Sequence, residues 1–170
     1  MKIFILGLPG SGKTYLGQQV ATSLHTSFVD LDVEIERVER LTIPEIFEKM
    51  KEDHFRKVES AILRRWCLST HDIVMATGGG TPCYFGNMDI INQSGISIFL
   101  DVPSDLIAHR LQQTDLTQRP LFARIPAESM KEHIEFMRSG RLEFYGQAHF
   151  TSSGEGIKDI VDYVKKRNLA

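Results

Sequence analysis

GLPGSGKT, residues 7–14, sets glycines, a lysine and a threonine directly behind the apolar run of residues 3–6. A backbone that must turn its N–H groups inward around phosphate oxygens needs positions without a Cβ, and Gly7, Gly10 and Gly12 supply them. Lys13 opens a helix, from which it can reach the β- and γ-phosphates of a nucleotide, and the positive helix N-terminus adds to the anion site. The Thr14 hydroxyl is placed to ligate Mg²⁺. Gly10, Ser11, Gly12, Lys13, Thr14 and Tyr15 are therefore the candidate nucleotide contacts. The bare glycine pattern also arises by chance, but here an apolar strand precedes it and a helical pattern follows, which is the context the motif requires.

A second group of residues is suited to receive what the loop holds. Asp30 and Asp32 lie two apart at the end of an apolar run, so on an extended chain they project to one side, at the edge where open α/β sheets bind ligands. One carboxylate near a metal and one facing a hydroxyl would suit phosphoryl transfer, although Asp32 is equally suited to capping the next helix. Arg56 and Glu59, three apart in FRKVE, share a helix face, where a surface ion pair is the ordinary reading. Gly78, Gly79 and Gly80 are harder to explain as a plain turn. Three consecutive glycines weaken the backbone, which makes sense if main-chain N–H groups must approach a ligand closely.

These residues must be held by elements. Short apolar runs at residues 2–6, 27–29, 72–76 and 95–100 read as strands buried on both faces, with a weaker fifth within 147–151. Helical spacing runs through Leu16, Val20 and Leu24, through Phe55, Val58, Ile62 and Trp66, and through Ile157, Ile160, Val161 and Val164. Alternating strands and helices predict a three-layer α/β sheet with parallel strands. Residues 30–70 are too long for one crossover helix and read as several short helices; TDLTQRPLFARIPAES reads as a long loop. Such insertions are where a small protein of this type would place a second substrate and a lid.

A chain of 170 residues fits one domain with one core. With a formal net charge of -2 it lacks the basic surface expected of a nucleic-acid binder. Its apolar N-terminal run is too short for a signal peptide or a membrane span, and Cys67 and Cys83 form no CxxC pair, so a cytoplasmic protein with two reduced thiols is expected. Trp66 and the phenylalanines are expected in the core, and the histidines have no metal-ligand spacing.

Taken in order, GLPGSGKT, DLD at 30–32, FRKVE at 55–59, GGG at 78–80, RPL at 119–121 and RLEFYGQA at 141–148 resemble the motif set of the shikimate kinases over nearly the whole chain. The resemblance implies a three-layer α/β/α P-loop NTPase fold with a central five-stranded parallel sheet, in a single domain spanning 1–170. It also implies a substrate-binding helical insertion at about 31–70 and a lid at about 114–127. The implied activity is ATP-dependent phosphorylation of the shikimate 3-hydroxyl with Mg²⁺, on the route to chorismate and the aromatic amino acids. By the same resemblance Lys13, Asp32 and Arg119 are catalytic, and Asp30 joins Thr14 at the metal. Asp32 binds the ring hydroxyls and can act as base, Arg56 and Arg141 grip the carboxylate, and the Gly78, Gly79 and Gly80 turn contacts shikimate. Glu59 orients Arg56, while Phe47 and Phe55 line the pocket. Arg119 swings in with the lid to meet the ATP phosphates.

The chain departs from the family pattern at two places. Lys51-Glu52 stands where a Gly-Glu pair is common, and Gln112 stands where an arginine often stacks on adenine, leaving Arg110 as the alternative ATP contact. Arg124 and Arg138 compete for the roles given to Arg119 and Arg141. A monomer acting on small molecules, without nucleic acid or membrane, is the expected form. The rivals are a gluconate- or nucleoside monophosphate-type kinase and a nucleotide-binding switch that transfers no phosphate.

Overall fold

A run such as Ile3-Phe4-Ile5-Leu6 has no polar face, so its backbone can be satisfied only between two other strands with helices above and below. The structure, a computed structural model describing residues 1–168, puts it there, with all four side chains fully buried. Strands β1 (Lys2–Leu6), β2 (Ser27–Asp30), β3 (Ile73–Ala76), β4 (Ile96–Leu100) and β5 (Phe150–Ser152) form one parallel sheet in the order β2-β3-β1-β4-β5. Helices α1 (Lys13–Ser23), α2 (Leu31–Glu39), α3 (Ile43–Leu68), α4 (Asn87–Ser94), α5 (Ser104–Gln112), α6 (Met130–Tyr145) and α7 (Lys158–Asn168) connect and cover the strands.

Register decides what meets at the carboxyl edge of this sheet. Ile5 pairs with Ala76, and Ala76 pairs with Asp30, so the chain leaves β1, β2 and β3 side by side. The phosphate-binding loop, the aspartate pair and the glycine turn therefore emerge as neighbours, although they lie far apart in sequence.

Several expectations needed revision. The fifth strand is Phe150–Ser152, at the far end of the expected 147–151 and one residue beyond it, because residues 146–148 complete the turn that ends α6. Asp72 stays outside β3 and instead accepts from the N-terminal ammonium. Residues 31–70 do carry several helical pieces, α2 and the two halves of α3, which is broken at Lys51, whose φ of 73° and ψ of 168° are not helical. Thr42 starts α3 with a capping box: its side chain accepts from Glu45 N, and the Glu45 carboxylate accepts from Thr42 N at 2.9 Å. Phe85 and Phe136 are 52% and 78% exposed, so the phenylalanines are not uniformly core. Trp66 is half-buried and donates through Nε1 to Glu34 at 3.2 Å.

The segment read as a loop after α5 contains two short 3-10 turns, Leu116–Gln118 and Ala127–Ser129. It is pinned by Phe122, which is 1% exposed and meets the His133 ring edge-on at 5.5 Å between centroids. Cys67 and Cys83 are half-buried free thiols, both pushed up in pKa by burial. No helix among the described residues is long and apolar enough to cross a membrane.

Candidate active site

Gly12 precedes α1 at φ 94°, a left-handed conformation that a side chain would strain, and so brings the loop amides around to the helix N-terminus. Lys13 follows and donates through Nζ to the carbonyls of Gly7 and Leu8 at 3.0 and 2.9 Å, which holds its ammonium over the loop. The Ser11 hydroxyl is buried without a hydrogen-bond partner among the described residues. Tyr15 is 67% exposed at the cleft rim.

At the end of β2, Asp30 rather than Asp32 caps α2, accepting from Asp32 N at 3.0 Å through Oδ1. Its Oδ2 accepts from the Thr14 hydroxyl at 2.8 Å, which places a hydroxyl and a carboxylate side by side at the loop. The cap leaves the Asp32 side chain free to point into the cleft. Burial, reinforced by the charges of Asp30 and Glu59 and opposed by Lys13 and Arg56, pushes Asp32 up to about 7. Burial likewise brings Lys13 down to about 8; Arg119 and Arg141 act in the same direction, and Asp32 and Asp30 against it.

The Arg56–Glu59 pair is buried and is not the surface ion pair its spacing allows. Arg56 is 4% and Glu59 0% exposed, and Arg56 Nη1 donates to Glu59 Oε2 at 2.9 Å. Arg56 Nε and Nη2 donate to Glu52 Oε1 at 3.1 and 3.0 Å, and the guanidinium lies over the Phe55 and Tyr84 rings. The glycine turn is shaped by these charges. A Cβ on Gly78 would lie 2.6 Å from Glu59 Oε1, one on Gly80 2.7 Å from Arg56 Nη2, and one on Gly79 3.1 Å from Arg141 Nη1. The missing side chains thus make room for the protein's own carboxylate and guanidinium groups, a reason for GGG that its sequence does not disclose.

Arg141, on α6, is brought to the same turn, and its Nη1 is buried with no hydrogen-bond partner among the described residues. A buried, unpaired guanidinium N–H is costly unless an acceptor meets it. One turn further along α6, the buried Tyr145 donates to Gly79 O at 2.5 Å and stacks on Phe99 of β4.

Two clefts result. One is lined by the phosphate-binding loop with Lys13, Thr14, Tyr15, Asp30, Thr77 and Arg110. The other is lined by Phe47, Phe55, Arg56, Glu59 and the glycine turn, with Arg119, Pro120, Leu121 and Phe122 across it. Pro9, Asp32, Gly79 and Arg119 line both. The competing arginines lie elsewhere: Arg138 is paired with Asp101 at the end of β4, and Arg124 is exposed. Gln112 donates to Ala127 O at 3.0 Å, whereas Arg110 Nη1 reaches Ser11 O at 3.3 Å, next to the loop.

A model of the shikimate kinase family matches residues 9–168. The chain belongs to that family. A shikimate kinase of Phocaeicola vulgatus is 35% identical over 158 residues, covering 93% of this chain and 89% of that protein. The crystal structure of shikimate kinase from Bacteroides thetaiotaomicron superposes with a TM-score of 0.88 at 31% identity, over 100% of this chain and 99% of the other. Shikimate kinase from Acinetobacter baumannii, solved in complex with shikimate, gives 0.86 at 31% identity, over 99% and 92%. The five-stranded parallel sheet covered by helices is thus the shikimate kinase fold. Sequence reasoning overlooked Glu52, Thr81 and Tyr145; only the position of Tyr145 four residues after Arg141, on the same helix face, hinted at any of them.

Proposed function

We propose that the protein transfers the γ-phosphate of ATP to the 3-hydroxyl of shikimate, giving shikimate 3-phosphate and ADP. The observation that carries this reading is the shared wall of the two clefts: Asp32 and Arg119 border both the phosphate-binding loop and a pocket armed with guanidinium groups. A hydroxy acid held there has its carboxylate toward Arg56 and Arg141 and a hydroxyl toward Asp32. The unpaired Nη1 of Arg141 favours an anionic occupant.

In this reading Asp32 takes the proton of the 3-hydroxyl as the new O–P bond forms and the bond to the ADP oxygen breaks; a carboxyl titrating near 7 is suited to that exchange. Lys13 and the loop amides of Gly10, Ser11, Gly12 and Thr14 hold the donor phosphates, and Arg119 reaches them from the lid segment 114–127, against the negative charge that builds during transfer. Tyr15 borders the nucleotide, and Arg110 takes the adenine side, since Gln112 is committed to Ala127 O. Gly78, Gly79 and Gly80 offer main chain to shikimate, in a pocket formed with the insertion 31–70. The Thr14 hydroxyl and Asp30 carboxylate, 2.8 Å apart, are hard oxygen donors of the kind that suit Mg²⁺, which when bound would neutralise phosphate charge. Because one chain supplies both clefts we propose a monomer, and because Cys67 and Cys83 are free thiols we propose that it works in the cytoplasm.

Release of ADP measured with ATP and Mg²⁺ against shikimate, quinate and gluconate tests the reading. Turnover with shikimate well above the others is expected, and Arg56→Lys should raise the KM for shikimate at least tenfold with the KM for ATP little changed, because an ammonium cannot make the bidentate contact. Equal turnover on gluconate would favour a different hydroxy acid, and hydrolysis indifferent to all three would point to a nucleotide switch.

A further inference from the structure

We infer that Thr81 is a positioning residue for carboxylate recognition: its hydroxyl holds Glu59, and through Glu59 it sets the orientation of the Arg56 guanidinium. The inference rests on the reading that Arg56 grips the carboxylate of shikimate.

Thr81 opens the 3-10 turn Thr81–Cys83 directly after the three glycines and is fully buried. Its Oγ1 donates to Glu59 Oε1 at 2.6 Å, while Glu59 Oε2 accepts from Arg56 Nη1 at 2.9 Å. The buried carboxylate is thereby fixed at both oxygens, by a hydroxyl on one side and the guanidinium on the other.

Thr81 is itself held at both main-chain groups. Its N–H donates to Gly78 O at 3.1 Å, and its carbonyl accepts from Asn87 Nδ2 at 2.9 Å. Asn87 Oδ1 in turn accepts from the Ser60 hydroxyl at 2.7 Å, and Ser60 adjoins Glu59 on α3. Glu59, Thr81, Asn87 and Ser60 therefore close a ring of buried polar groups that ties α3, the glycine turn and α4 together. A satisfied ring in a water-poor interior is stiff, because any rotation leaves a polar group unpaired.

Arg56 has a second carboxylate partner in Glu52, but the two differ in what they can specify. The Glu52 side chain is 42% exposed, so water competes with it and leaves it free to move, whereas that of Glu59 is 0% exposed. The fixed partner sets the direction of the fork, and Thr81 fixes that partner. Without the hydroxyl, Glu59 Oε1 loses its donor, and the carboxylate turns to regain one, taking Arg56 Nη1 with it.

The test compares Thr81→Val, Thr81→Ser and Arg56→Lys, each assayed with shikimate, with shikimate methyl ester and with varied ATP. Thr81→Val should raise the KM for shikimate about tenfold, as loss of a hydrogen bond to a charged group does. The KM for ATP should stay near wild type, and the preference for shikimate over its ester should fall; Thr81→Ser should restore all three. A purely structural Thr81 would lower the melting temperature without moving the ester preference. Wild-type preference in Thr81→Val, equal loss for both substrates, or no rescue by serine would overturn the inference. If Thr81→Val does not unfold cooperatively, Thr81→Ala is read in the same way. Arg56→Lys separates the two failures: if it destroys the ester preference while Thr81→Val does not, only the role of Thr81 falls, and if it leaves the preference intact, the carboxylate clamp falls with it.

Discussion

Near neutral pH, Asp32 is divided between its charged and uncharged forms, held near 7 by burial and by the neighbouring Asp30 and Glu59 charges. Lys13, brought down to about 8 chiefly by burial, gives up its proton just above that point. In the proposed mechanism Asp32 must be charged to accept a proton and Lys13 charged to hold phosphate, so kcat/KM for ATP should be bell-shaped, with limbs near 7 and 8 belonging to the coupled pair. The same shift affects stability. Asp32 ionises near 4 in an unfolded chain, so folding takes up a proton between that value and 7. The stability this contributes is present in full below pH about 4 and is lost as pH rises through 7. Asp32→Asn should abolish turnover and yet melt higher than wild type at pH 8, with the gain shrinking toward pH 4; thermal melts across that range would check it. Asp32, Arg56 and Arg141 could be picked out from the sequence because charged residues in ordered motifs stand out. Thr81 could not, because a threonine after glycines looks like turn punctuation until Glu59 is found beside it.

Among the elements, α3 carries the clearest strain. Lys51 breaks it at φ 73° and ψ 168°, a region open essentially to glycine alone, and the very next residue is Glu52, which grips Arg56. Such a conformation costs a side chain about 1–3 kcal/mol, and the greater freedom of glycine in the unfolded chain takes back about 0.5–1. Lys51→Gly should therefore stabilise the fold by about 1 kcal/mol, or about 3 °C in melting temperature. Lys51→Ala, which keeps the Cβ, should not, and calorimetry of the two variants would separate strain from the loss of the lysine. The departure from Gly-Glu was visible in the sequence, but its backbone angle was not. For a related reason β1 was readable to the residue while β5 was bounded only loosely: a strand buried on both faces must be apolar throughout, whereas Phe150–Ser152 at the sheet edge needs only a partner on one side. The long segment after α5 showed its prolines but not its anchor, since nothing local says that Phe122 will find His133.

At the scale of the whole molecule, strand order distributes the work. β1 lies centrally and delivers the phosphate-binding loop, β2 and β3 deliver Asp32 and the glycine turn on one flank, and β4 leads through α5 to the Arg119 segment on the other. Binding and catalysis should then separate. Shikimate at about a hundred times its Kd should raise the melting temperature by about 5–10 °C. Arg119→Ala should keep most of that shift while losing about a thousandfold or more in turnover, as removal of a charge-stabilising arginine does. A lost shift would make Arg119 a binding residue, and normal turnover would take it out of the chemistry. Alternating strands and helices revealed this architecture in advance, but the register that makes Ile5, Ala76 and Asp30 neighbours is a property of pairing and has no local signature. One contact across the shared wall carries further. A Cβ on Gly79 would meet Pro9 Cδ at 2.5 Å, so the phosphate-binding loop and the glycine turn touch through a glycine and a proline ring, with no room between them. Neither can shift without pressing on the other. Whatever factor ATP imposes on the affinity for shikimate, shikimate must impose on the affinity for ATP, and this contact is a mechanical path by which such reciprocity can pass.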